Sequence, residues 1–312
     1  MKIVKYLLVL VILAVAASAA AIHFAPAQAA DFLVDLKRKI GGLETKEMTL
    51  DNGLTYVYME ANADKAETLV LLHGFGADKD NFTEVAPYLR DYHLIVPDHI
   101  GFGDSSKPQN ADYTPPAQAA RLHELLGKIG VNTFSMGGSS MGGHIALTYA
   151  AMYPNQVQSL WLLDPGGFWS APKSEFLLHF EETGENILSA RTLKEFHGVF
   201  DFVMSKPPFV PGFVLDQKAQ SRIDNYALEQ QIFKQLGEDQ LEARIKGMPV
   251  PALLVWGKED RVLSAGAVPV VESLLPNVKT VLMDGIGHLP MLEAPYQTAT
   301  DLKEFLALLP ES

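Results

Sequence analysis

Ser140 stands at the centre of Gly138-Ser139-Ser140-Met141-Gly142, a G-x-S-x-G pattern lying between a strand-like stretch and a helical one that begins near Met141. In that setting a sharp strand-to-helix turn lifts the central hydroxyl out of the chain, and flanking glycines let neighbouring backbone pass close by. Only Ser140, and not Ser139, has glycine both two residues before and two residues after it. A serine hydroxyl attacks a carbonyl when a base takes its proton and a carboxylate holds that base. Among nine histidines, His288 ends the glycine-rich loop Asp284-Gly285-Ile286-Gly287-His288 directly after an apolar strand pattern, so it is the candidate base. His123, His144, His179 and His197 fall within helical patterns and His23 within the apolar start, which marks them as structural. Asp260, in Trp256-Gly257-Lys258-Glu259-Asp260-Arg261 after another strand pattern, is the candidate carboxylate, with Glu259 and Asp164 as competitors. The order serine, aspartate, histidine is one in which this triad is built. His73-Gly74-Phe75-Gly76 follows the first long strand pattern. Its Phe75 N–H, with that of Met141, is placed to meet a developing oxyanion, and losing one such donor typically costs about 2.7–4 kcal/mol. His73 then reads as a brace for its loop.

These residues need a scaffold that presents them along one edge. Strand-like stretches at Thr68–Leu72, His93–Val96, Thr133–Ser135, Ser159–Leu163, Ala252–Trp256 and Thr280–Met283 alternate with helical patterns, and two short runs flank a hairpin signal at Asp51-Asn52-Gly53. Alternation of buried strands with crossover helices predicts an α/β fold, a mostly parallel sheet with helices on both faces. Between Pro165 and about Lys246 no strand pattern appears; this interval reads as a helical cap over the sheet, spanning residues 166–245, with the core at 46–165 and 246–312. It holds nine of the sixteen phenylalanines. Phe168, Trp169, Phe176, Phe200 and Phe209 are the candidates from it for lining an apolar pocket, and the remaining rings for the cap's own core.

Composition narrows the function. With 25 basic and 37 acidic side chains the net charge is -12, which repels phosphate backbones and argues against nucleic-acid binding. The chain has no cysteine, so thiolate catalysis, disulfides and Cys-ligated zinc are excluded. No His-Glu-x-x-His pattern or tight ligand cluster points to a metal, and no cofactor is expected.

From Tyr6 to Ile22 no residue is charged, after Lys2 and Lys5. About 20 residues of helix rise roughly 30 Å, the thickness of a bilayer's hydrocarbon core. Residues 1–30 therefore read as a transmembrane anchor; a cleaved signal peptide is the alternative, since Ala27-Gln28-Ala29 supplies a cleavage-like stretch. The run exceeds the usual signal core of about 7–15 residues, which favours the anchor. Residues 31–45 follow as a juxtamembrane helix or linker, with apolar positions near helical spacing up to Gly41-Gly42. Lys2 and Lys5 on one side and Lys37, Arg38, Lys39 and Lys46 on the other leave the orientation open by charge alone.

Leu72-His73-Gly74-Phe75-Gly76, Pro97-Asp98-His99-Ile100-Gly101-Phe102-Gly103-Asp104-Ser105, the Ser140 turn, Trp256-Gly257-Lys258-Glu259-Asp260 and Gly287-His288 together resemble the α/β-hydrolase family over roughly residues 46–312. The resemblance implies that fold and the triad roles above, makes Asp98 structural, and leaves His99 facing either the pocket or the loop. The amino-terminal run and Phe-rich cap resemble membrane-anchored bacterial lipases, lysophospholipases and phospholipases A. That implies acyl-ester lipids as substrates, a fatty acid as product, and a soluble part on the periplasmic side of the inner membrane; secretion after signal cleavage is the alternative, and a homodimer stays open. Two other functions remain: a hydrolase of soluble substrates, such as carbon-carbon bonds in aromatic degradation, whose enzymes the Gly101-Phe102-Gly103 loop also resembles, and a non-catalytic binding member of the fold.

Overall fold

The computed structural model of the chain describes Tyr6 and residues 22–309. Eight strands, β1 (Glu44–Thr49), β2 (Thr55–Ala61), β3 (Thr68–Leu72), β4 (His93–Pro97), β5 (Phe134–Ser139), β6 (Val157–Leu163), β7 (Ala252–Gly257) and β8 (Val278–Met283), form one sheet. Their spatial order is β1-β2-β4-β3-β5-β6-β7-β8. β1 and β2 pair antiparallel across the turn at Asp51-Asn52-Gly53, β2 pairs antiparallel with β4, and the remaining pairs are parallel. Strand β5 runs four residues beyond the Thr133–Ser135 pattern, because Gly137 and Gly138 pair with β3 and β6. Glycine has little strand propensity, so this extension is set by the sheet and not by local preference.

The described helices are α1 (Pro26–Ile40), α2 (Pro115–Lys128), α3 (Met141–Met152), α4 (Glu175–Thr183), α5 (Leu193–Val203), α6 (Gly212–Asp224), α7 (Tyr226–Gly237), α8 (Leu241–Ile245), α9 (Val268–Leu274), α10 (Pro290–Glu293) and α11 (Pro295–Leu306). Successive side chains of a strand point to opposite faces, and the core divides accordingly. Val70, Leu72, Leu160, Leu162, Leu254 and Trp256 pack with α2, α3 and α9 on one face. Leu69, Leu71, Trp161, Leu163, Leu253 and Val255 pack with α11 on the other. Helix α3, which follows Ser140, is buried from Met141 to Ala150, as a helix apolar all round must be.

Helices α4 to α8 fill the interval between β6 and β7, and α5 and α6 line a cavity shared with Ser140 at the carboxyl end of β5. Ser174 and Thr192 cap α4 and α5 by accepting from Leu177 N and Glu195 N. Phe196 of α5 and Ala219 of α6 meet with Ala190 in a small core of the cap's own.

Helix α1 overlaps the segment 31–45 expected as a juxtamembrane helix or linker, but begins earlier, at Pro26, and ends at Ile40. The Pro26 ring suits a first helical position, and the helix stops where Gly42 takes φ +72 while Gly42 N and Leu43 N donate to Lys39 O and Arg38 O. It packs on α6 of the cap, with Ala30 buried and Phe32, Leu36 and Ile40 exposed. Among the described residues no helix is long and apolar enough to cross a membrane. The expected anchor, residues 1–30, lies mostly outside the described residues.

Candidate active site

Strand β5 ends at Ser139 and α3 begins at Met141, so Ser140 takes the whole turn, with φ +55 and ψ -119. That is strained backbone for a residue with a side chain. A Cβ on Gly138 would lie 2.3 Å from Gly142 O, and one on Gly142 would lie 2.1 Å from Leu72 O, so the turn closes only with glycine at both flanks. Ser140 N donates to Leu163 O at 3.0 Å, and Ser140 O accepts from Gly166 N at 2.9 Å. The backbone of the serine is thereby pinned to the end of β6.

His288 Nδ1 lies 2.7 Å from Asp260 Oδ2, and Asp260 Oδ1 accepts from Val262 N at 2.8 Å and Leu263 N at 3.0 Å. An imidazole facing a carboxylate carries its proton on that nitrogen, which leaves Nε2 as the acceptor. Glu259 is exposed, and among the described residues the ring's carboxylate partner is Asp260. Asp164 is the closer rival: it is fully buried, has φ +45, and accepts from Gly257 N at 2.9 Å. Burial and the neighbouring Asp260 charge push its carboxyl well above the usual range. Ligand atoms of Asp164, Asp260 and His288 lie within 4.8 Å of one another, but the His288–Asp260 hydrogen bond occupies this group, which therefore has the chemistry of an acid–base pair.

The loop after β3 runs against the serine. A Cβ on Gly74 would lie 3.2 Å from Ser140 Cβ. Neither Phe75 N nor Met141 N donates to a protein acceptor among the described residues; at Met141 this is the ordinary state of a helix's first turn. His73 Nε2 accepts from His99 N at 3.0 Å, so Nδ1 carries the proton and donates to Gly74 O at 2.8 Å. His73 thus braces the loop. Asp98 binds Lys79 N and Lys79 Nζ, each at 2.7 Å, and Asp104 N at 2.8 Å, which holds the loop after β4 in shape.

Ser140, Phe75 and His288 open onto one cavity of about 850 Å³. The hydroxyl makes no hydrogen bond to the ring among the described residues, and such contacts are commonly long before substrate binds. The walls of the cavity are α5, residues 208–215, α6 and α1, whose Ala30, Leu33 and Val34 face it. Of the aromatic residues expected at the pocket, Phe200 and Phe209 line it. The others lie elsewhere. Phe168 is buried in the main core, Trp169 donates to Asp239 O at 3.0 Å, and Phe176 packs on Phe180 and Phe233. His99 is wholly buried against His73, and burial drives its pKa well below the usual value.

The model of the alpha/beta hydrolase fold matches residues 67–295 of the chain. The chain belongs to this family. The hydrolase is 43% identical to Lipase 3 of Moraxella sp. (strain TA144), with 88% of each chain covered. It is 42% identical to Lipase 1 of Psychrobacter immobilis, with 89% of this chain and 88% of that one covered. Among solved structures, it is similar to a membrane phospholipase A described as a bacterial virulence factor, with TM-score 0.88, 39% identity and 98% of each chain covered. Relatives named lipases at this identity over most of both chains make it an ester hydrolase.

Several residues of the site carry no sequence signal that the motifs reveal. Lys218 Nζ lies 2.7 Å from Asp78 Oδ2 and 2.9 Å from Asp80 Oδ2, while Arg38 Nε and Nη2 bond Asp80 at 2.7 and 3.0 Å. This cluster joins α1, α6 and the loop that carries Phe75, on the rim of the cavity. Arg222 pairs with Glu229 beside Gly76. Phe196, Val199, Phe200 and Val203 of α5 line the cavity at helical spacing, the pattern that identifies one face of a helix.

Proposed function

We propose that the hydrolase cleaves acyl esters of lipids at a membrane surface through Ser140, His288 and Asp260, with residues 166–245 as a cap over a core of residues 46–165 and 246–312. The observation that carries this reading is the single cavity onto which Ser140 and His288 open and whose wall is largely apolar, from Val199, Phe200, Val203, Val214 and Leu215. An acyl chain fits such a wall, since burying each methylene contributes about 0.8 kcal/mol.

In this reading His288 Nε2 takes the Ser140 proton as Oγ attacks the ester carbonyl. Asp260 fixes the ring by its contact with Nδ1 and stabilises the imidazolium that forms. The Phe75 and Met141 N–H groups receive the oxyanion, with Met141 also at the positive end of α3. The proton then passes to the leaving alcohol, and water activated by His288 hydrolyses the acyl-enzyme to a fatty acid.

The similarity to a membrane phospholipase A supports residence at a membrane. So does an exposed apolar stripe, Phe32, Leu36 and Ile40 on α1, directly after the uncharged run from Tyr6 to Ile22. Phe209, 92% exposed at the rim of the cavity, is a further exposed apolar side chain. The soluble part then stands on the periplasmic side.

Purified protein is expected to hydrolyse medium-chain p-nitrophenyl esters, and Ser140→Ala to lose this by about 10⁶-fold in kcat while staying folded. Turnover near wild type in that variant refutes the mechanism. Rates on glycerides, lysophospholipids and diacyl phospholipids measured side by side then give the lipid class.

A further inference from the structure

We propose that Glu293 is a positioning residue for His288: its carboxylate fixes the backbone of the histidine loop and fastens that loop to the end of cap helix α5. The inference rests on His288 acting as the base.

Glu293 closes the single turn of α10. Its Oε2 accepts from Gly287 N at 3.0 Å, Ser205 N at 2.8 Å and Lys206 N at 2.8 Å, and its Oε1 accepts from Leu289 N at 3.2 Å. His288 N, between those two loop donors, goes to Val203 O at 2.9 Å. Three consecutive N–H groups around the imidazole are thus committed, two to one carboxylate and one to the last residue of α5. The approach is close enough that a Cβ on Gly287 would lie 2.7 Å from Ser205 N and 3.0 Å from Glu293 Oε1.

A carboxylate is the group for this task, because it only accepts and has about four lone-pair sites for four donors. An amide in its place turns one acceptor into a donor facing N–H groups. Asp260 orients the ring at Nδ1 but leaves the backbone beneath it free to shift; Glu293 removes that freedom. Since Val199, Phe200 and Val203 of α5 line the cavity, the wall that meets the acyl chain and the loop that carries the base are held by one side chain. Misplacement by about 1 Å costs up to about 10²-fold in rate.

The test is Glu293→Gln, assayed on a p-nitrophenyl ester and on an alkyl ester of the same acyl chain. An alkoxide leaves only when the base returns the proton to it, whereas p-nitrophenolate leaves without that help, so a displaced imidazole penalises the alkyl ester more. The expected result is a kcat loss of about 10²-fold on the alkyl ester, a clearly smaller loss on the p-nitrophenyl ester, and KM nearly unchanged. Equal losses on both esters, or wild-type kcat on the alkyl ester, overturn the proposal. Should Glu293→Gln fail to fold, Lys206→Pro removes one cap-side donor and leaves Glu293 in place; the same unequal loss is expected, and its absence in folded protein overturns the proposal. Wild-type turnover in Ser140→Ala would instead sink the reading of the site on which this inference stands.

Discussion

The two sides of the cavity are built by different means. On the sheet side the groups proposed to react are held by backbone: Ser140 by Leu163 O and Gly166 N, and Asp260 by Val262 N and Leu263 N. On the opposite side the part of the wall formed by α1 and α6 is held by charged side chains, Arg38, Asp78, Asp80 and Lys218, drawn from three separate elements. Contacts to backbone at and just beyond the strand ends carry no titrating partner on the backbone side, so they change little with pH. Ion pairs at a rim respond to pH and to loss of a partner. The first construction suits groups that must meet within fractions of an ångström, the second a wall that has to admit a long substrate.

The sharpest test of this contrast is on the sheet side. Asp260→Asn is expected to lower kcat by about 10⁴-fold, since an amide oxygen and nitrogen at that site no longer select the productive tautomer of His288. Asp164→Asn, replacing a carboxyl whose ionisation burial and the Asp260 charge oppose, is expected to retain most of the activity. If the two results are reversed, Asp164 and not Asp260 is the acid.

On the wall the expected effects are smaller and fall on stability. Lys218→Met leaves Asp80 to Arg38 and takes from Asp78 its ion-pair partner, and is expected to cost about 2 kcal/mol in urea unfolding, with kcat changed far less than in Asp260→Asn. A neutral result would mean that the cap is held by its apolar contacts.

The smallest effect is on acid sensitivity. Burial opposes the ionisation of Asp78, but the charge and hydrogen bond of Lys218 outweigh it and bring its pKa down to about 2. A carboxyl depressed in the folded state stabilises above its ordinary value of about 3.9 and loses that contribution as pH falls through its folded value. The stabilisation by Asp78 is therefore expected to fade between about pH 4 and pH 2. In Lys218→Met the acid transition moves to higher pH; an unmoved midpoint means that another group controls it.

The same contrast explains what could be read from the sequence. The turn at Ser140 demands glycine at fixed offsets, and the loops at His73, Asp260 and His288 each follow a strand, so short stretches announced them. The wall left no such trace: Arg38 and Asp80 are 42 residues apart, and Lys218 and Asp78 are 140 apart. Phe168, Trp169 and Phe176 were expected at the cavity on residue type alone, yet a large ring serves a core as well as a pocket, and only the fold decides which. Burial likewise withdrew His99 from the cavity despite its place in a loop at the sheet's edge. Glu293 leaves no trace in the sequence because its partners are backbone groups, which no side-chain pattern encodes.

Helix α1 has a practical consequence. Because Ala30, Leu33 and Val34 border the same space as Ser140, helix α1 is part of the wall of the candidate site. A shortened protein beginning after Gly42 would keep Ser140, Asp260 and His288 while opening one flank of the cavity to water, so its preference among esters would describe the breach as much as the native enzyme.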